Sequence, residues 1–147
     1  MPREWENLAA GGPGSLPHMD IVAALFVENM DFRPVPGPST RIDLMGIMFS
    51  LPAPNPPPVS LSPHMIVLVR CPPDDDGFHA LNTVFLDEDG NEVVRSKQPV
   101  QVEPGKFGYR LVKADLTWEK YGTINAHVAI DDGPATIVPL TLLPPVA

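Results

Sequence analysis

Asp87-Glu88-Asp89-Gly90-Asn91 places oxygen-bearing side chains at alternate positions, a pattern that can converge on a hard cation such as calcium. The spacing departs from an EF-hand loop. Counting from Asp87, Gly90 is fourth and Gln98 twelfth, where that loop wants glycine sixth and glutamate twelfth. An Asp-Gly turn between two apolar runs is the simpler reading. A second acidic run, Asp74-Asp75-Asp76, would join Asp87 and Asp89 in a two-loop calcium site if both loops met at one tip; the other reading is a solvated acidic loop. The histidines His18, His64, His79 and His127 lack the spacing that sets two ligands on one face, although His79 and His127 would meet across a sheet in one strand pairing. Cys71 follows an apolar run without a cysteine partner, as a buried structural thiol does. Gly-x-Ser-x-Gly is absent, and Gly11-Gly12-Pro13-Gly14 lacks the Lys-Ser or Lys-Thr of a phosphate loop. These residues imply no cofactor and no enzyme.

Whatever these groups do, short strands must position them. The 20 prolines among 147 residues oppose long helices, and the apolar runs are of strand length between Pro, Gly and Asp punctuation. The fold expected is all-β, an antiparallel β-sandwich of about eight strands in a single domain over residues 19–147, preceded by an irregular Gly/Pro-rich arm over residues 1–18. Strands are expected at Ile21–Val27, Arg41–Phe49 and Met65–Arg70, then in a hairpin on either side of Gly90, from Phe107 to about Leu116, at Thr123–Ile130 and at Thr136–Leu143. Asp31-Phe32-Arg33-Pro34-Val35-Pro36-Gly37-Pro38 reads as a breaker after the first strand, and Gly46 as a bulge or close contact. Pro139 argues that the last strand lies at an edge. Ile124, Ala126, Val128 and Ile130 alternate with Thr123, Asn125, His127 and Ala129, so one face of that strand is core and the other is wet or covered by a polar partner.

Ten Lys and Arg against 18 Asp and Glu leave a net charge of -8, the wrong sign for a phosphate backbone, so no nucleic-acid partner is expected. The first residues, Met1-Pro2-Arg3-Glu4-Trp5-Glu6-Asn7, have no continuous apolar stretch. Neither a signal peptide nor membrane insertion is expected, and the single cysteine fits a reducing cytoplasm. Trp5 and Leu8 on the arm, Trp118 before the cleanest strand and His127 on its polar face are the candidates for an interface.

Ile21-Val22-Ala23-Ala24-Leu25-Phe26, Leu44-Met45-Gly46-Ile47-Met48, Pro63 to Arg70, the Leu86-Asp87-Glu88-Asp89-Gly90 hairpin and the closing Tyr121-Gly122 to Val138-Pro139-Leu140 pattern together resemble a family of small bacterial β-sandwich domains of unknown function. The likeness spans roughly residues 19–143. It implies the sandwich and a bacterial or phage setting, without a catalytic motif. The function expected is a non-catalytic structural or accessory protein, docking to a protein partner or to itself in a larger assembly, in the cytoplasm or on a particle. The alternative is a ligand-binding sandwich using its acidic loops for calcium or carbohydrate.

Overall fold

In the computed structural model, which describes residues 18–37 and 39–146, every regular element is a strand. In chain order these are β1 (Asp20–Pro34), β2 (Thr40–Met48), β3 (Ser50–Pro52), β4 (Val59–Leu61), β5 (His64–Arg70), β6 (Phe78–Leu86), β7 (Glu92–Gln101), β8 (Phe107–Lys113), β9 (Leu116–Trp118), β10 (Gly122–Ile130) and β11 (Thr136–Leu143). One sheet runs β2-β1-β5-β8 and the other β3-β11-β10-β6-β7, with a two-stranded β4–β9 ribbon beside them. All pairings are antiparallel except β3 with β11. The eight long strands are those expected. The three-residue strands β3, β4 and β9 were not, because three residues show too little alternation to stand out beside prolines.

Alternation builds the core. Met65, Val67 and Val69 of β5 face Leu81 and Phe85 of β6, Ile124, Ala126 and Val128 of β10, and Leu140 and Leu142 of β11 in one buried cluster. Trp118, paired with Val59 across the ribbon, is buried in the same cluster at 3% exposure. It is therefore a core residue and presents no interface; a tryptophan next to a strand stabilises more by filling the core than by standing in water. β3 covers β11 only at Thr141–Leu143, which leaves Pro139 at an edge as expected.

β1 departs most from expectation. It continues through Asp31–Pro34, the start of the supposed breaker, and this second half pairs with β2. β5 pairs only with the first half, up to Val27. Phe32 is nevertheless 5.4 Å, ring centre to ring centre, from Tyr109 on β8, and with Ile42 and Tyr109 it lines a cavity over Leu68. Leu68 pairs with Ala23, near the opposite end of β1, so an extended β1 would carry Phe32 far away from it. The outer half of the β1–β2 hairpin must therefore fold back over the outer face of the first sheet.

The bend lies at Glu28 and Gly46. Gly46 has φ +65, and a Cβ there would lie 2.6 Å from the Glu28 carboxyl carbon. The left-handed backbone is what favours glycine, since the exposed Glu28 side chain can swing aside from a Cβ. In the hairpin's register Met30 and Phe32 oppose Leu44 and Ile42, while Asp31 and Arg33 oppose Asp43 and Arg41. A diagonal Arg33–Asp43 pair at 2.6 Å offsets the like-charge neighbours. Folding back explains Ile66, which is 0% exposed yet belongs to no part of the core between the sheets. It sits on the outer face, alternating with Met65 and Val67, and the hairpin covers it.

Candidate functional site

The described residues concentrate chemistry at the end of the sandwich where β5 leads into β6 and β10 into β11. Leu81 and Phe85 point into the core, and by the same period of two so does His79, at the first turn of β6. Its ring closes the end of the core. Nε2 meets both carboxylate oxygens of Asp75 at 2.7 and 2.9 Å, and Nδ1 meets Asp131 at 2.5 Å. The side chain of Asp75 is 5% exposed, that of His79 17% and that of Asp131 51%.

Each partner is held locally. Asp75 accepts the Gly77 N–H, and Asp131 accepts the Ala80 N–H while its own N–H donates to the Ala80 carbonyl. Asp131 adopts φ +53, a left-handed turn conformation that aspartate tolerates. Its carbonyl takes a further hydrogen bond from Asn82.

The ionisation of the three groups is mutual. Burial works to raise the Asp75 and Asp131 carboxyl pKa values, yet backbone N–H donors and the imidazole outweigh it and hold both below the ordinary range. Burial likewise works to lower His79, and the two carboxylates outweigh it and raise it. The arrangement, a ring clamped between two carboxylates, favours the imidazolium form. Nearby Cys71 is buried, and that burial, with the charge of Asp75, pushes its thiol up and away from nucleophilic reactivity.

Asp75, Asp76 and His79 are the described residues whose ligand atoms converge within 4.8 Å. Both ring nitrogens are already taken by carboxylates, so the geometry is that of a latch joining two loops. The solvated loop expected at Asp74–Asp76 is thereby corrected for Asp75, which turns inward because His79 gives it a buried partner. The two-loop calcium site is also not assembled: Asp74, Asp75 and Asp76 precede β6, whereas Asp87 and Asp89 follow it, so the length of that strand separates them. His127 pairs with Val84, five residues along β6 from His79, so the two histidines do not meet.

At the far end of β6, a cleft of about 300 Å³ lies beside Glu88, Asp89, Lys120 and Tyr121. Its acids on the hairpin loop are engaged, whereas Glu119 is not among the described residues' pairs. Asp87 accepts the N–H groups of Asp89 and Asn91, Glu88 accepts the Thr123 N–H, and Asp89 pairs with Lys120. The Asp-Gly hairpin reading of this loop stands, with Gly90 at φ +83.

A third feature is a groove with exposed aromatic walls. β7 and β8 are each the edge of their own sheet and face each other along one side of the sandwich. Gln98 donates across the gap to the Leu111 carbonyl at 3.4 Å. A groove of about 490 Å³ runs between Gln98 and Gln101 of β7 and the stretch Phe107–Leu111 of β8. Around β8 it meets the cavity of about 350 Å³ under the folded-back hairpin, through shared walls at Phe107, Gly108 and Tyr109. Phe107 is 71% exposed, and Phe32, Tyr109 and Leu111 are also exposed. Of the interface candidates read from sequence, His127 is half-buried on the outer face of the second sheet, and Trp5 and Leu8 lie outside the described residues.

No described helix is long and apolar enough to cross a membrane. Residues 37–143 match the family model described as "Family of unknown function (DUF6941)". The match starts between β1 and β2, later than the likeness read from sequence. No curated protein matches the chain.

Proposed function

The chain therefore belongs to that family of unknown function, and from this premise we propose that it is a non-catalytic docking module that takes an extended segment of a protein partner into the groove between β7 and β8. The observation that carries the reading is the continuity of the groove with an exposed aromatic ledge. Two edge strands, unpaired on their outer sides among the described residues, offer backbone hydrogen bonds to an incoming strand, and Phe32, Phe107 and Tyr109 offer apolar contact to its alternate side chains. A water-facing aromatic group of this kind is the ordinary material of an interface hot spot. The histidine latch, at the same end of the sandwich as Phe107 and Gln101, supports a structural part for the loops beside the groove, since its ring nitrogens are occupied by carboxylates and neither is left to act as a base. A module of this kind serves as an accessory subunit of a larger assembly, in the cytoplasm or on a particle.

The experiment is selection from a displayed random-peptide library, followed by titration of the recovered peptides against the wild-type chain and Phe107→Ala by fluorescence polarisation. Apolar, strand-compatible peptides should emerge, and Phe107→Ala should weaken them by about tenfold, a little over 1 kcal/mol. No enrichment, or peptides indifferent to Phe107→Ala, would overturn the reading.

A further inference from the structure

We infer that the segment docking in this groove carries a carboxylate, from aspartate, glutamate or a chain terminus, which pairs with Arg110. The inference rests on the docking function proposed above and specifies the occupant. By the alternation of β8, Arg110 shares the inward side of the strand with Gly108 and Val112. Val112 is buried in the core, and a Cβ on Gly108 would lie 2.7 Å from Val102. An arginine is out of place on that side unless its head has a purpose at the opening.

The head is unpaired. Nε of Arg110 is buried and meets no acceptor among the described residues, and no carboxylate there lies within ion-pairing distance of the guanidinium. Arg33, Arg70 and Arg95, all exposed, hold Asp43, Asp20 and Glu92 respectively, where water screens the pair. Arg110 is the one described arginine that is not exposed. Arg41, also exposed, has no such pair among the described residues, but its head lies in water; in a chain of net charge -8 the sheltered Arg110 is left open, lining the groove. A sheltered donor without an acceptor is a standing cost, relieved when a ligand supplies the acceptor. The planar guanidinium fork matches a carboxylate with two parallel hydrogen bonds. Gln98 and Gln101 on the opposite wall suit the backbone of the same segment, since amides donate and accept.

The test uses synthetic apolar octapeptides, each made in four forms that combine Asp or Asn at one residue with a free-acid or amide terminus. Binding is read by fluorescence polarisation with the full chain, Arg110→Gln, Arg110→Lys and Phe107→Ala. The carboxylate forms should bind the wild type at least tenfold more tightly than their neutral twins. Arg110→Gln should erase that preference, and Arg110→Lys should restore part of it. If the peptides bind and depend on Phe107 but prefer neither Asp over Asn nor the free acid over the amide, Arg110 is only a stem covering the core with its head in water, and the inference falls while the docking groove stands. If no form binds, or Phe107→Ala changes nothing, the docking function falls with it. Self-association of the wild type in analytical ultracentrifugation, competing with peptide, would replace the partner segment by a second copy and overturn the inference. The comparison of peptide twins on the wild type needs no variant, and Arg110→Met, which keeps the stem, serves if Arg110→Gln fails to fold.

Discussion

Replacing His79 by glutamine removes the charge from the latch while keeping a polar side chain of similar reach. The Asp75 contact is sheltered, and a hydrogen bond between charged groups in such a place contributes about 1.5–3 kcal/mol. The Asp131 contact is half in water and contributes less than about 1 kcal/mol. Glutamine regains one neutral hydrogen bond, so the net loss is about 2 kcal/mol, or about 8 °C in Tm for a chain of this size.

The loss depends on pH. His79 is raised in the fold, so its contribution is complete below about pH 6.5, the unfolded value, and is lost as pH climbs through the folded one. Asp75 and Asp131 are lowered, so theirs is complete above about pH 4 and is lost as pH falls through their folded values. Above the folded value of His79, the lone pair of the neutral ring faces the Asp75 carboxylate, or the ring turns its one proton there and abandons Asp131. Thermal unfolding followed by circular dichroism should therefore separate wild type from His79→Gln most widely near pH 5.5, with the gap narrowing toward pH 9. A gap that stays constant, or widens with rising pH, would refute the clamped imidazolium.

Ile66→Ala should destabilise by about 2–4 kcal/mol, as a core truncation does, although Ile66 lies on the outer face of its sheet; urea unfolding that shows less than about 1 kcal/mol would mean that the hairpin does not cover it. Gly46→Ala should cost about 1–2 kcal/mol from its left-handed backbone, with the Glu28 side chain displaced, and should weaken peptide binding at the ledge by releasing the hairpin. Phe107→Ala should leave Tm within about 2 °C of wild type, because a side chain this exposed contributes within about 0.5 kcal/mol to folding, so any loss of binding reports the surface itself.

The strands were legible wherever one face is core. β10 announces itself because Ile124, Ala126, Val128 and Ile130 are all buried while Thr123, Asn125 and His127 are not, and Asp-Gly chemistry located the β6–β7 turn. Asp31–Pro34 misled because proline and charge normally end a strand, whereas here they lie in a hairpin of which only one side is covered. The acidic loop misled because Asp74, Asp75 and Asp76 look equivalent in the chain, and only the position of His79 makes Asp75 the buried one.

Period-two alternation and turn residues act between near neighbours, so the sequence alone determined the all-β class, the long strands and the Gly90 hairpin, and marked Gly46 as a bulge or close contact. The latch joins His79 to Asp131, 52 residues apart, and the ledge joins Phe32 to Tyr109. Neither pairing leaves a mark on local spacing. Both exist because burial of Ile66 favours a hairpin bent over its own sheet, and because two loops at one end of the sandwich bring acids to either side of one ring. Those are consequences of strand order and packing, which only the tertiary structure decided.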